Sequence, residues 1–218
     1  PPQSSLAITL QIVSIVFYTF IAFLCIGLPI AVLPGYVHEQ LGFSAIVAGL
    51  VIGSQYLATL LSRPMAGRMS DTLGTKRAIV YGLSGIVLSG LLTLISTLLQ
   101  DFPVPSLIIL IIGRLLLGVA QGLIGVGTIS WCMGQVGVEH TARSIGWNGI
   151  ASYGAIAIGA PLGVVMVADY GFTSLGIALS VLAAAALVII RNKPSVPVVR
   201  GERLSFWAVF GRIAPYGA

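Results

Sequence analysis

Gly67-Arg68-Met69-Ser70-Asp71-Thr72-Leu73-Gly74-Thr75-Lys76-Arg77 is a short polar stretch wedged between two apolar runs, each long enough to cross a bilayer. No neighbouring stretch combines as much charge with as much glycine. Arg63, Arg68, Lys76 and Arg77 would each cost several kcal/mol in hydrocarbon, and residues of this kind are retained on the cytoplasmic side of a membrane. The stretch therefore predicts a cytoplasmic turn joining two spanning helices.

Composition carries the same reading to the whole chain. Charged residues make up 8% of the 218 residues and hydrophobic residues 57%, with a mean hydropathy of +1.04. A water-exposed surface needs about a quarter charged residues, so a soluble domain is excluded. The pI of about 9.6 does not mark a nucleic-acid binder, because the eleven Lys and Arg are scattered between apolar runs and form no stripe. Cys25 and Cys132 sit inside apolar runs without metal-ligand spacing and read as small apolar fillers. Both histidines, His38 and His140, fall in connections. There is no carboxylate pair, nucleophile triad or phosphate-binding glycine loop, so no metal, no cofactor and no enzyme activity is expected.

Six spans follow in order, at about Leu10 to Leu33, Phe43 to Leu61, Ala78 to Leu99, Leu107 to Met133, Ile145 to Val167 and Phe172 to Ile190. Gly27, Pro29 and Pro34 predict a bend at the end of the first, which lipid tolerates only under the cover of other helices. Gly159-Ala160-Pro161-Leu162-Gly163 predicts a break in the fifth. With these spans, one set of connections holds Arg63, Arg68, Lys76, Arg77, Arg143, Arg191, Lys193, Arg200 and Arg203, while the opposite turns hold Glu39, Asp101 and Asp169. This places the N-terminus in the cytoplasm. The runs are too long and too uniform for a β-barrel, and the class is an all-α polytopic membrane protein. Residues 1–190 form the bundle, 191–203 a basic, proline-punctuated linker, and 204–218 the start of a seventh helix, so the chain reads as a fragment. The start lacks the pattern of a cleaved signal peptide.

Arg114 is the one clearly embedded charge. From a helix start near Leu107 it would stand about 10 Å along the axis. It either snorkels or stacks against a neighbour, or it lines a water-filled cavity and meets an anion or a protonatable partner. Tyr18, Gln55, Tyr56, Gln121, Asn148, Ser152 and Tyr153 are the polar groups deep enough to touch a solute, although neighbouring carbonyls could satisfy each of them. Trp131 and Trp147 fall near the cytoplasmic boundary, where interfacial anchoring is the expected role. Asp71, between Gly67 and Gly74, can accept from exposed N–H groups at a helix end, and the spacing reads as a structural latch beside the Lys76-Arg77 anchor.

Gly67-x-x-x-Asp71-x-x-Gly74-x-Lys76-Arg77 closely resembles the signature between the second and third helices of the major facilitator superfamily, departing from it at Thr72, where a basic residue is usual. Arg114-x-x-x-Gly118-x-x-Gln121-Gly122 is similar to that family's fourth-helix motif, whose arginine is associated with proton coupling. Gly154 through Gly163 resembles the fifth-helix motif of the antiporter branch, except that Ala160 separates Gly159 from Pro161. The stretch from Asn148 to Gly163 also resembles bacterial permeases described as sugar-efflux-like or uncharacterised.

The resemblance implies one half of a twelve-helix transporter, built as two inverted three-helix repeats, with a C-terminal half as partner. By the same analogy Asp71, with Arg77 and Glu139 or Arg143, stabilises the outward-facing state across the cytoplasmic half-interface, and the fifth-helix glycines and Pro161 close the seam between halves on the outer side. The implied activity is proton-coupled export of a small organic solute from the bacterial inner membrane. A symporter, a uniporter or a non-transporting bundle are the alternatives.

Overall fold

The computed structural model describes residues 4–195. Residues 196–203 of the linker expected at 191–203, and the seventh helix at 204–218, lie outside the described residues. Six long helices carry the fold: α1 (Ser5–Ile30), α2 (Ala45–Leu73), α3 (Thr75–Leu98), α4 (Pro103–Val136), α5 (Thr141–Tyr170) and α6 (Thr173–Arg191). All six are long and apolar enough to cross a membrane. Their ends have local causes. Ser4 and Ser44 cap α1 and α2 by accepting from Ala7 N and Val47 N. Pro103 opens α4 at a position where its missing N–H costs nothing. Gly74, at φ 94°, is the single residue between α2 and α3, a conformation that a Cβ would oppose.

Two expectations are corrected here. The opening stretch is helical on both sides of Gly74, so Gly67 and Asp71 belong to the last turns of α2 and Lys76 to the first turn of α3. The fifth helix is unbroken, and Pro161 is accommodated within it. The bend expected at the end of the first span is present. α1 stops at Ile30, and the chain continues through Leu33–Gly35 and a wide helical turn at Tyr36–Gln40. Other helices cover it as lipid requires: the Tyr36 ring stacks on Phe172 at 4.0 Å, and its hydroxyl lies 3.3 Å from Ser96 O and from Ser106 Oγ. Ser96 and Ser106 also bond to each other, with Ser106 Oγ donating to Ser96 O at 2.8 Å.

α1 lies along α5, α4 lies along both α2 and α3, α3 lies along α6, and α1 meets α4 in the middle. The first helix of each group of three therefore rests on the second helix of the other. Close approach along α1 and α5 depends on absent side chains. A Cβ on Gly159 would stand 3.0 Å from the Gly27 and Leu28 backbone, and one on Gly163 would overlap Leu28 O. Leu, Ile and Val side chains cover the outside of the bundle, among them Ile46, Leu60, Ile150, Val165, Val181 and Val188. That surface is suited to hydrocarbon and not to water.

Candidate substrate and coupling site

Of the candidate polar groups, Gln55, Gln121, Asn148 and Ser152 fall in two seams between helices. Between α2 and α4, Gly118 has no side chain, which lets the Gln55 carbonyl reach the α4 backbone. Thr59 Oγ1 then lies 3.0 Å from Gln55 O, 3.1 Å from Gly118 O and 3.1 Å from Gln121 Oε1. Its single hydrogen serves one of these acceptors at a time, so the three form a shared site in which bonds can be exchanged. Gly122, one turn on, faces the Ser62 hydroxyl. Gln55 Nε2 is buried with no partner.

Between α1 and α5, Thr19 Oγ1 donates to Asn148 Oδ1 at 2.8 Å. Ser152 Oγ donates to Asn148 O at 2.8 Å. The two seams match: each pairs a threonine with a side-chain amide at the contact between the first helix of one group and the second helix of the other.

Arg114 stands one turn before Gly118, on the α2 side of α4. Because α4 begins at Pro103 and not near Leu107, it lies about 16 Å along the axis, deeper than the sequence suggested. It is only 1% exposed, and its Nε and Nη2 have no hydrogen-bond partner. Snorkelling to an interface is inconsistent with that burial. Glu39, Asp71, Asp101, Glu139 and Asp169 all fall at helix ends or in connections, so among the described residues no carboxylate within a span neutralises it.

Tyr18 is fully buried and stacks on Trp131 with ring centroids 6.0 Å apart. Trp131 is therefore a core residue, and its expected role as an interfacial anchor is corrected. Tyr18 Oη and Trp131 Nε1 are both buried without partners. Tyr153 is 77% exposed, and the structure does not bring it to the buried polar set. Thr19 and Thr59, which hold the two amides, were missed because a threonine in an apolar run is indistinguishable from filler until its partner helix is known.

At the basic end of the bundle Asp71 is exposed at the close of α2, and Arg77 is exposed on α3. Arg143 is committed locally, donating to Ser5 O at 3.4 Å and Ser5 Oγ at 3.2 Å. The Glu139 carboxylate folds over Gly137. Lys76 Nζ donates to Arg191 O at 3.1 Å and Lys193 O at 2.5 Å, so it caps the end of α6. The latch residues thus make contacts within this bundle or stand open. In α5, Gly159 and Gly163 are spent on α1, while Gly154 has open space and Pro161 is exposed.

Six helices long and apolar enough to cross a membrane, with an apolar exterior and an embedded arginine, define a polytopic α-helical membrane protein. The chain belongs to the Major Facilitator Superfamily, which matches residues 15–212. It is 50% identical over 216 residues to an uncharacterised MFS-type transporter of Burkholderia pseudomallei (strain 1106a), covering 99% of this chain and 53% of that one. It is 53% identical over 220 residues to an uncharacterised MFS-type transporter of Pseudomonas aeruginosa (strain LESB58), covering 100% of this chain and 55% of that one. The chain spans about half the length of the curated relatives it matches.

Proposed function

We propose that the protein is a secondary active transporter that exports a small organic solute, sugar-like or drug-like, in exchange for protons by alternating access. The observation that carries this reading is Arg114, a fully desolvated cation with two unpartnered nitrogens and no carboxylate in the spans around it. An arginine keeps its proton, so it does not itself carry the coupling ion. Its part is to bind an anionic group or to hold down the pKa of a carboxylate that comes from outside this half. Gln55, Gln121, Asn148 and Tyr18 supply donors and acceptors whose partners can be exchanged as a solute enters. Alternating access then needs a second half, and Asp71, Gly74 and Arg77 at the open end of α2 and α3 serve as its latch against that half.

The distribution of charge supports the orientation. Arg63, Arg68, Lys76, Arg77, Arg143 and Arg191 gather at one end of the bundle, and Glu39, Asp101 and Asp169 lie at the other. We place the basic end in the cytoplasm and the protein in the bacterial inner membrane.

The test of direction is accumulation of a labelled solute panel in cells carrying the full-length protein, before and after a protonophore. Export driven by the proton gradient raises accumulation when the gradient collapses. A fall on collapse indicates symport, and no change indicates a uniporter or a bundle without transport; each refutes the export reading.

A further inference from the structure

At the basic end, a cavity of about 420 Å³ lies between α3 and α6, lined by Lys76, Val80, Ser84, Leu187, Ile190 and Arg191. The lining is graded along its depth. Lys76, Val80 and Ser84 follow one another at four-residue spacing on one face of α3, so the groove runs about 12 Å along that helix. Leu187, Ile190 and Arg191 form the facing wall on the last turns of α6. Lys76 and Arg191 stand at the helix-end side of the groove, Val80, Leu187 and Ile190 lie further in, and Ser84 ends the α3 wall.

The charge at the mouth is held in place. Two of the three ammonium protons of Lys76 go to Arg191 O and Lys193 O, which fix the nitrogen over the end of α6 and leave a third donor and the full positive charge. The exposed Arg191 side chain adds a second cation with a fork of donors. The acidic residue nearest in sequence, Asp71, lies across the Gly74 turn on α2 and is not part of the lining. The surface beside the groove is apolar: Tyr81 and Val188 are both exposed.

We propose that this groove seats an anionic phospholipid, with its phosphodiester against Lys76 and Arg191 and one acyl chain along Val80, Leu187 and Ile190. A soluble phosphate would use only the mouth, whereas a zwitterionic lipid would bring an ammonium group against two cations. A basic recess between membrane helices matches an anionic headgroup on charge and an acyl chain on its walls. The bound lipid bridges α3 and α6, one helix from each group of three.

The test is native mass spectrometry of the full-length protein, delipidated and titrated with phosphatidylglycerol, phosphatidylcholine, glycerophosphoglycerol or inorganic phosphate. Phosphatidylglycerol should be retained at lower concentration than phosphatidylcholine, and the two soluble compounds should give no adduct. Arg191→Gln should weaken retention about fivefold, the worth of one basic residue at an anionic surface. Leu187→Trp, which fills the acyl path and leaves the cations in place, should abolish the adduct, and Arg63→Gln on α2 should leave it unchanged. Equal retention of the two lipids, retention unaffected by Arg191→Gln, or an equally strong adduct with inorganic phosphate would each overturn the proposal.

Discussion

Replacing the α5 glycines one at a time with alanine tests whether they serve α1 inside this bundle. At Gly154 a Cβ meets nothing within 4 Å; at Gly159 it meets backbone at 3.0 Å; at Gly163 it overlaps Leu28 O and stands 2.7 Å from Leu28 C. The obstacles at the last two positions are backbone atoms, which cannot rotate away, so α1 or α5 must shift as a body. Alanine in place of glycine gains about 1 kcal/mol of helix propensity wherever space allows. Overpacking a filled contact costs about 1–3 kcal/mol. Gly154→Ala should therefore stabilise by up to about 1 kcal/mol. Gly159→Ala should come out near neutral, since a shift of a few tenths of an ångström suffices there. Gly163→Ala should destabilise by about 2 kcal/mol, because its overlap demands the largest movement. The assay is thermal unfolding of the full-length protein in detergent, read as the loss of a monodisperse chromatographic peak. Equal midpoints for Gly154→Ala and Gly163→Ala would refute the α1–α5 contact as described.

Other substitutions separate stability from function. Arg114→Met should melt higher than the parent and lose transport, because it removes an uncompensated buried charge and keeps the volume; thermal midpoint and solute flux read the two effects separately. Trp131→Ala should cost about 3–5 kcal/mol for its buried ring, and Trp131→Phe far less; if both variants melt like the parent, the ring does not lie in the core. Tyr36→Phe should cost about 1 kcal/mol through its hydroxyl, with the stack on Phe172 kept; Tyr36→Ala should cost several times as much in the same melting assay.

The architecture could be read from the sequence because a bilayer imposes length and polarity on every span, and because charge sorts between the two ends. Helix count, order and the covered bend after Gly27 and Pro29 all follow from those constraints. The local errors had physical causes. Pro161 suggests a break, yet a spanning helix retains a proline when its neighbours tolerate the lost bond. Trp131 lies near a boundary in linear position, and only the stack with Tyr18 shows that it turns inward. The pairs Thr19 with Asn148 and Thr59 with Gln121 depend on which helices touch, as does the hold of Lys76 on the end of α6, and one sequence carries little record of contacts between distant helices. The roles expected of Asp71 and Arg114 came from the resemblance and not from any contact within the bundle.

The central claim is proton-coupled exchange, and the most direct measurement is proton movement in inside-out vesicles holding the full-length protein, acidified inside and challenged with the solute panel. The account predicts that one class of solute releases protons from the lumen as it enters, and that Arg114→Ala abolishes that release while the protein still folds and inserts. Solute entry without proton release, or a response that survives Arg114→Ala unchanged, would contradict it.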